Sequence, residues 1–254
     1  MPALLSLLIG ITDPNSSLAL LQLLLRWVHF FAGTTWIGLL YYFNLVQTPF
    51  LRTLSAETRA QVFPGLMTRA MRWFRWSAVV TVLMGFGYWN IIVYADSQNA
   101  HLHHLPTGGK VAILSFLTIW TVAFFIEFAV LMLPVGALQR GPILGIIVVI
   151  VVIASGYGWL SLNSHAWESS RMQAIGVGGG IGWFMMLNVW GVIWRIQKKL
   201  IRWTRENALN QKPMPPGAAK LAQQAVVVSR INFVLSFPLL LLMGAASHYP
   251  FIVD

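Results

Sequence analysis

The residues with the clearest chemical content lie in RWVHFFAGTTWIG, positions 26–38. His29 stands inside an apolar run. On a helix, Arg26, His29, Gly33, Trp36 and Leu40 share one face. Each type has a use in a membrane helix that holds haem b. The imidazole gives a nitrogen ligand, and Gly33 clears the surface in front of a flat ring. Trp36 supplies an aromatic wall, and Arg26 places a cation near the polar edge, where a propionate would sit. The competing reading of the same residues is structural. Glycine permits close helix packing, and a histidine within a span can hydrogen-bond to a neighbouring helix.

The other histidines are His101, His103, His104, His165 and His248. His165 and His248 fall at the ends of apolar runs and are the candidates for a second axial ligand. The HLHH stretch at 101–104 has spacing that suits copper or zinc, and equally suits a solvated loop. Glu127 is the one acid well inside an apolar run. Near the inner end of its span, it has three readings: a proton relay, an ion pair with Arg230, which is also near the inner end of its span, and a snorkelled acid. Asn188 and Asn232 read as interhelical hydrogen-bonding residues. GVGGG at 176–180 opens an apolar helix, with no preceding strand and no G-x-G-x-x-G spacing. It therefore reads as a close-approach surface and not as a nucleotide loop.

The elements that must position these residues are membrane helices. The chain has 254 residues, of which 57% are hydrophobic and 9% charged, against about a quarter charged in soluble domains. Six spans are expected, near 20–46, 74–94, 110–132, 142–162, 174–195 and 225–247. The fold class is an all-α polytopic bundle, with a single transmembrane domain over 20–254. Residues 1–19 are expected to form a short interfacial N-terminal segment, whose apolar run 1–11 is too short to span and lacks the basic n-region and small-x-small cleavage site of a signal peptide. Charge sets the orientation. Residues 47–75 carry Arg52, Arg59, Arg69, Arg72 and Arg75 against Glu57, and 195–224 forms a basic cytoplasmic loop. The positive-inside rule puts both on the cytoplasmic side and both termini outside, with Asp13, Asp96, Lys110, Glu168, Arg171 and Asp254 on the outer side. Within that loop IQKKLIRWTRENAL reads as a basic amphipathic helix attracted to anionic lipid. The net charge of +10 thus belongs to topology and not to nucleic acid. The expected location is a bacterial inner (cytoplasmic) membrane. With no cysteine, the chain has no ligands for an iron–sulfur cluster and no attachment for covalent haem c.

Beyond these readings, several stretches carry a family likeness. RWVHFFAGTTWIG, RWFRWSAVVTVLMGF at 72–86, MLNVWGVIWRIQKKL at 186–200 and SRINFVLSFPLLLLMGAASHYP at 229–250 together resemble the membrane domain of bacterial urate hydroxylase, the urate-oxidase N-terminal family. More distantly, the first span is similar to haem-b-binding membrane proteins of the protoporphyrinogen oxidase and copper-resistance type. The resemblance implies a haem contact at His29 and oxidation of urate or a related purine. It also implies a cytochrome c domain after the membrane part, which is expected to be lacking here. Where family members carry histidine, this chain has Gly176 and Ile231.

Two functions of different class follow. One is a membrane haem-b oxidoreductase or electron-transfer protein that delivers electrons at the outer face to a periplasmic cytochrome or a larger membrane complex. The other is a non-catalytic accessory subunit of a respiratory or photosynthetic membrane complex.

Overall fold

A computed structural model describes residues 14–105, 108–133, 135–246 and 248–249. The regular elements among the described residues are all helices, joined by turns and short irregular connections, with no strand. α1 (Pro14–Tyr41) passes through a π-helical turn, Tyr42–Gln47, into the short α2 (Thr48–Thr53). α3 (Ala56–Leu102), α4 (Gly109–Met132) and α5 (Gly141–Ser161) follow. α6 (Ser170–Asn188) runs through a second π-helical turn, Val189–Ile193, into α7 (Trp194–Asn210), and α8 (Ala218–Ala245) closes the bundle. Six segments are long and apolar enough to cross a membrane, as the hydropathy runs predict. Of the expected interfacial segment, residues 1–13 lie outside the described residues, and the rest belongs to α1.

The helices extend well beyond the apolar runs that announce them. α3 has 47 residues, about 70 Å at 1.5 Å per residue, against a hydrocarbon core of about 30 Å. Its arginine-rich first turns, read from sequence only as a connection, are helical. Ser55 starts the helix by accepting a hydrogen bond from the Thr58 N–H at 3.2 Å, an N-cap that satisfies one of the orphan donors. Much of the basic stretch 195–224 is likewise helical. α7 ends where Gln211 turns left-handed, and Gly217, at φ +89°, starts α8.

α3 is the spine. It packs against α1, α6 and α7, while α6 also packs on α8, α4 and α5. Four fully buried tryptophans, Trp36, Trp89, Trp120 and Trp159, fill the centre. Buried indole N–H groups usually find partners, and two of these four do. Trp89 donates to the Met172 carbonyl at 3.0 Å, and Trp159 to that of Ala112 at 3.3 Å. The glycine run of α6 is the packing surface its sequence suggests. A Cβ at Gly180 would lie 1.9 Å from the Trp120 indole, and one at Gly178 would lie 3.0 Å from Leu242 and Met243 of α8.

Candidate functional site

α1, α3, α6 and α8 leave between them a cavity of about 460 Å³. Arg26, His29, Gly33 and Trp36, one turn apart along α1, all line it. α3 contributes Thr81, Gly85, Phe86, Tyr88 and Trp89. The remaining walls are Phe116 of α4, Ile175 and glycines 178, 179 and 182 of α6, and Leu239, Leu240 and Met243 of α8. Phe30, Thr34, Gly38 and Leu240 are both lining residues and exposed. The cavity therefore has a lateral opening between α1 and α8, toward the lipid in a bilayer.

The orientation of His29 is fixed across the helix pair. Its Nδ1 is 2.7 Å from the Thr81 carbonyl oxygen. A carbonyl only accepts, so Nδ1 carries a proton, and in the neutral imidazole Nε2 then keeps its lone pair. Gly85, one turn further along α3, makes room for the ring. A Cβ there would lie 2.7 Å from both Nδ1 and Cε1 of His29. Trp36 is 1% exposed, and its indole N–H has no hydrogen-bond partner.

Arg26, Tyr88 and Arg171 gather beside one end of the cavity. The Arg26 guanidinium lies 5.6 Å from the centre of the Tyr88 ring, and that of Arg171 lies 5.4 Å from it. The Arg171 guanidinium also donates to the Tyr88 hydroxyl. From sequence Arg171 is only an outer-side charge. Its role at this end emerges when the start of α6 packs beside α3.

The other candidates lie elsewhere. His165 sits in the turn after α5, where its Nδ1 is 3.4 Å from Glu168 and its side chain is 58% exposed. His248, exposed, follows α8, with Nδ1 3.4 Å from the Gly244 carbonyl oxygen. Neither is among the described residues that line the cavity. His101, His103 and His104 are exposed at the end of α3. Among the described residues, no group of three or more His, Asp or Glu is placed to hold a metal ion.

Glu127 does not pair with Arg230. Arg230 is exposed, whereas Glu127 is 1% exposed, neither paired with it among the described residues nor snorkelled to a surface. The two residues sit on different helices and face different surroundings, which their shared position near the inner side does not reveal. The asparagines do join helices. Asn188 donates to Asn232 Oδ1 at 3.0 Å, and Asn232 donates to the Met185 carbonyl at 3.0 Å.

Fold and cavity together define a class, a polytopic helical membrane bundle with one oriented imidazole in an aromatic and glycine-walled cleft. The chain belongs to the urate oxidase N-terminal family, whose description matches residues 53–254. That stretch carries Gly85, Tyr88, Arg171 and all of α8, while His29 lies before it. No curated protein and no solved structure matches the chain.

Proposed function

We propose that this chain is a membrane module that holds haem b in the α1–α3–α6–α8 cavity, and that it serves as a non-catalytic, electron-relaying subunit of a larger membrane assembly. The observation that carries the reading is the His29–Thr81 hydrogen bond of 2.7 Å. Metal-ligating histidines characteristically donate their second ring N–H to a carbonyl or carboxylate, which fixes the tautomer and aims the other nitrogen. His29 has that arrangement inside a cavity.

Other features of the cavity fit the group. Glycines 33, 179 and 182 add no side chain to the walls, Phe86 and Phe116 give aromatic ones, and the lateral opening admits an apolar ring from the lipid. The unpartnered Trp36 N–H is a donor available to a bound ligand. His29 would hold the iron of the group, with Gly33 and Trp36 shaping the space around it. When bound, haem b supplies reversible one-electron transfer at a potential set by its ligands and surroundings. The protein residues orient the imidazole and wall the ring with apolar side chains.

The relay reading is preferred to substrate oxidation because the described lining offers one imidazole and no carboxylate. That set is suited to gripping a ring and poor in groups for moving a substrate's protons. The second reading, a haem oxidoreductase acting on urate or a related purine, draws on family membership. Anaerobic mixing of urate with the oxidised, haem-loaded protein separates the two. A relay stays oxidised with urate, is reduced by dithionite, and is reoxidised by a soluble cytochrome. Urate-driven reduction at a steady rate overturns the relay reading in favour of the enzyme.

A further inference from the structure

We propose that Arg26, Tyr88 and Arg171 form a clamp at one end of the cavity that binds the two carboxylates of a flat ring ligand. Three helices converge to build it, with Arg26 from α1, Tyr88 from α3 and Arg171 from α6. The two guanidiniums lie against one phenol ring, at 5.6 Å and 5.4 Å from its centre. Arg26 is exposed and Arg171 half-buried, and two like charges gathered about one ring repel each other unless an anion lies between them. A cation pair of this kind calls for an anion.

No described side chain meets that need. Neither arginine has a carboxylate within ion-pair distance among the described residues. The acids nearby in sequence are engaged elsewhere. Asp96 accepts from the Ser169 N–H at 3.1 Å and from its hydroxyl at 2.6 Å, and Glu168 accepts from the His165 N–H at 2.7 Å. Arg171 Nε is buried and has no partner, so a strong donor is left unused. The Tyr88 hydroxyl accepts from Arg171, which leaves its own proton to be donated. The clamp thus offers two forked cations and a phenol O–H at the rim of an apolar cleft, a donor set matched to carboxylates.

The identity of the ring rests on the haem reading above, whereas the recognition of charge needs no iron. The test therefore uses metal-free protoporphyrin IX and its dimethyl ester, titrated by fluorescence into the purified full chain in detergent. The wild type is expected to bind the free acid at least about tenfold more tightly than the diester, because charge-assisted pairs are the strong ones. R26Q and R171Q should each reduce that ratio, and the double variant should bring it near one with diester affinity unchanged. Equal binding of acid and diester by the wild type overturns the clamp, as does a preference that survives in the double variant. Loss of diester binding in the double variant also counts against it, by assigning the arginines to the fold. Binding of neither porphyrin sinks the clamp and the haem reading together. A preference for the acid, combined with iron protoporphyrin that shows no His29-dependent spectrum, upholds the clamp and sinks the haem reading alone.

Discussion

Gly85→Ala is expected to empty the cavity of its ring ligand while leaving the bundle folded. The added methyl would sit 2.7 Å from His29 Nδ1 and Cε1, closer than carbon and ring atoms approach. The α3 backbone has little freedom to retreat, so the imidazole must rotate away and give up its bond to Thr81. Losing the partner that orients a metal-bound histidine typically costs about 10- to 100-fold in affinity. A comparable loss of iron protoporphyrin affinity is expected here, read from the Soret titration. The backbone itself should not suffer, since alanine is favoured over glycine in a helix interior by about 1 kcal/mol. Gly87→Ala is the internal control. Gly87 lies in the same helix but not among the residues that line the cavity, and its Cβ would meet only the Leu25 side chain, at an ordinary 3.7 Å, so it should fold normally and bind like the wild type. Wild-type affinity in Gly85→Ala would show that ligand binding does not depend on His29 being held where Gly85 seats it.

The second large effect concerns Gly176, where the family resemblance leads one to expect histidine. In this fold the place is taken. A Cβ at Gly176 would lie 2.2 Å from Trp159 Cη2 and 2.5 Å from Cζ3. Trp159 is fully buried, and its N–H is held by the Ala112 carbonyl at 3.3 Å. The indole of α5 therefore fills the volume that a side chain on α6 would need. Gly176→His alone is expected to destabilise the bundle by about 3 kcal/mol or more, at the upper end of overpacking effects. Pairing it with Trp159→Gly should recover much of that loss, since residues in direct contact couple strongly. Thermal unfolding of the two single variants and the double variant in detergent measures the coupling. If Gly176→His unfolds at the wild-type temperature, the packing of Trp159 on Gly176 is not what excludes a side chain there.

Sequence made much of this legible, and unevenly. The six spans follow from apolar runs, and the face grouping Arg26, His29, Gly33 and Trp36 follows from helical spacing, because both are local properties of the chain. The cavity's other walls depend on which helices become neighbours. Thr81 and Gly85 stand 52 and 56 residues beyond His29, and nothing in RWVHFFAGTTWIG indicates that α3 will present a carbonyl to the imidazole. Arg171 likewise reads as one outer charge among several until α6 places it against Tyr88. Glu127 shows the opposite failure. A partner chosen from depth alone, Arg230, proves to be exposed on another helix, since depth along a span says nothing about rotation around it. The extent of α3 was hidden for a third reason. Arginine-rich turns have good helix propensity, but they lack the apolar run by which a span is recognised.

The most direct test is the absorption spectrum of the purified, haem-replete protein, oxidised and reduced, with His29→Ala prepared beside it. Axial ligation by His29 predicts a Soret band and a reduced α band in the wild type, both lost or strongly altered in the variant, with helical content unchanged. A wild-type protein with no Soret band, or a His29→Ala spectrum that superimposes on the wild type, would contradict it.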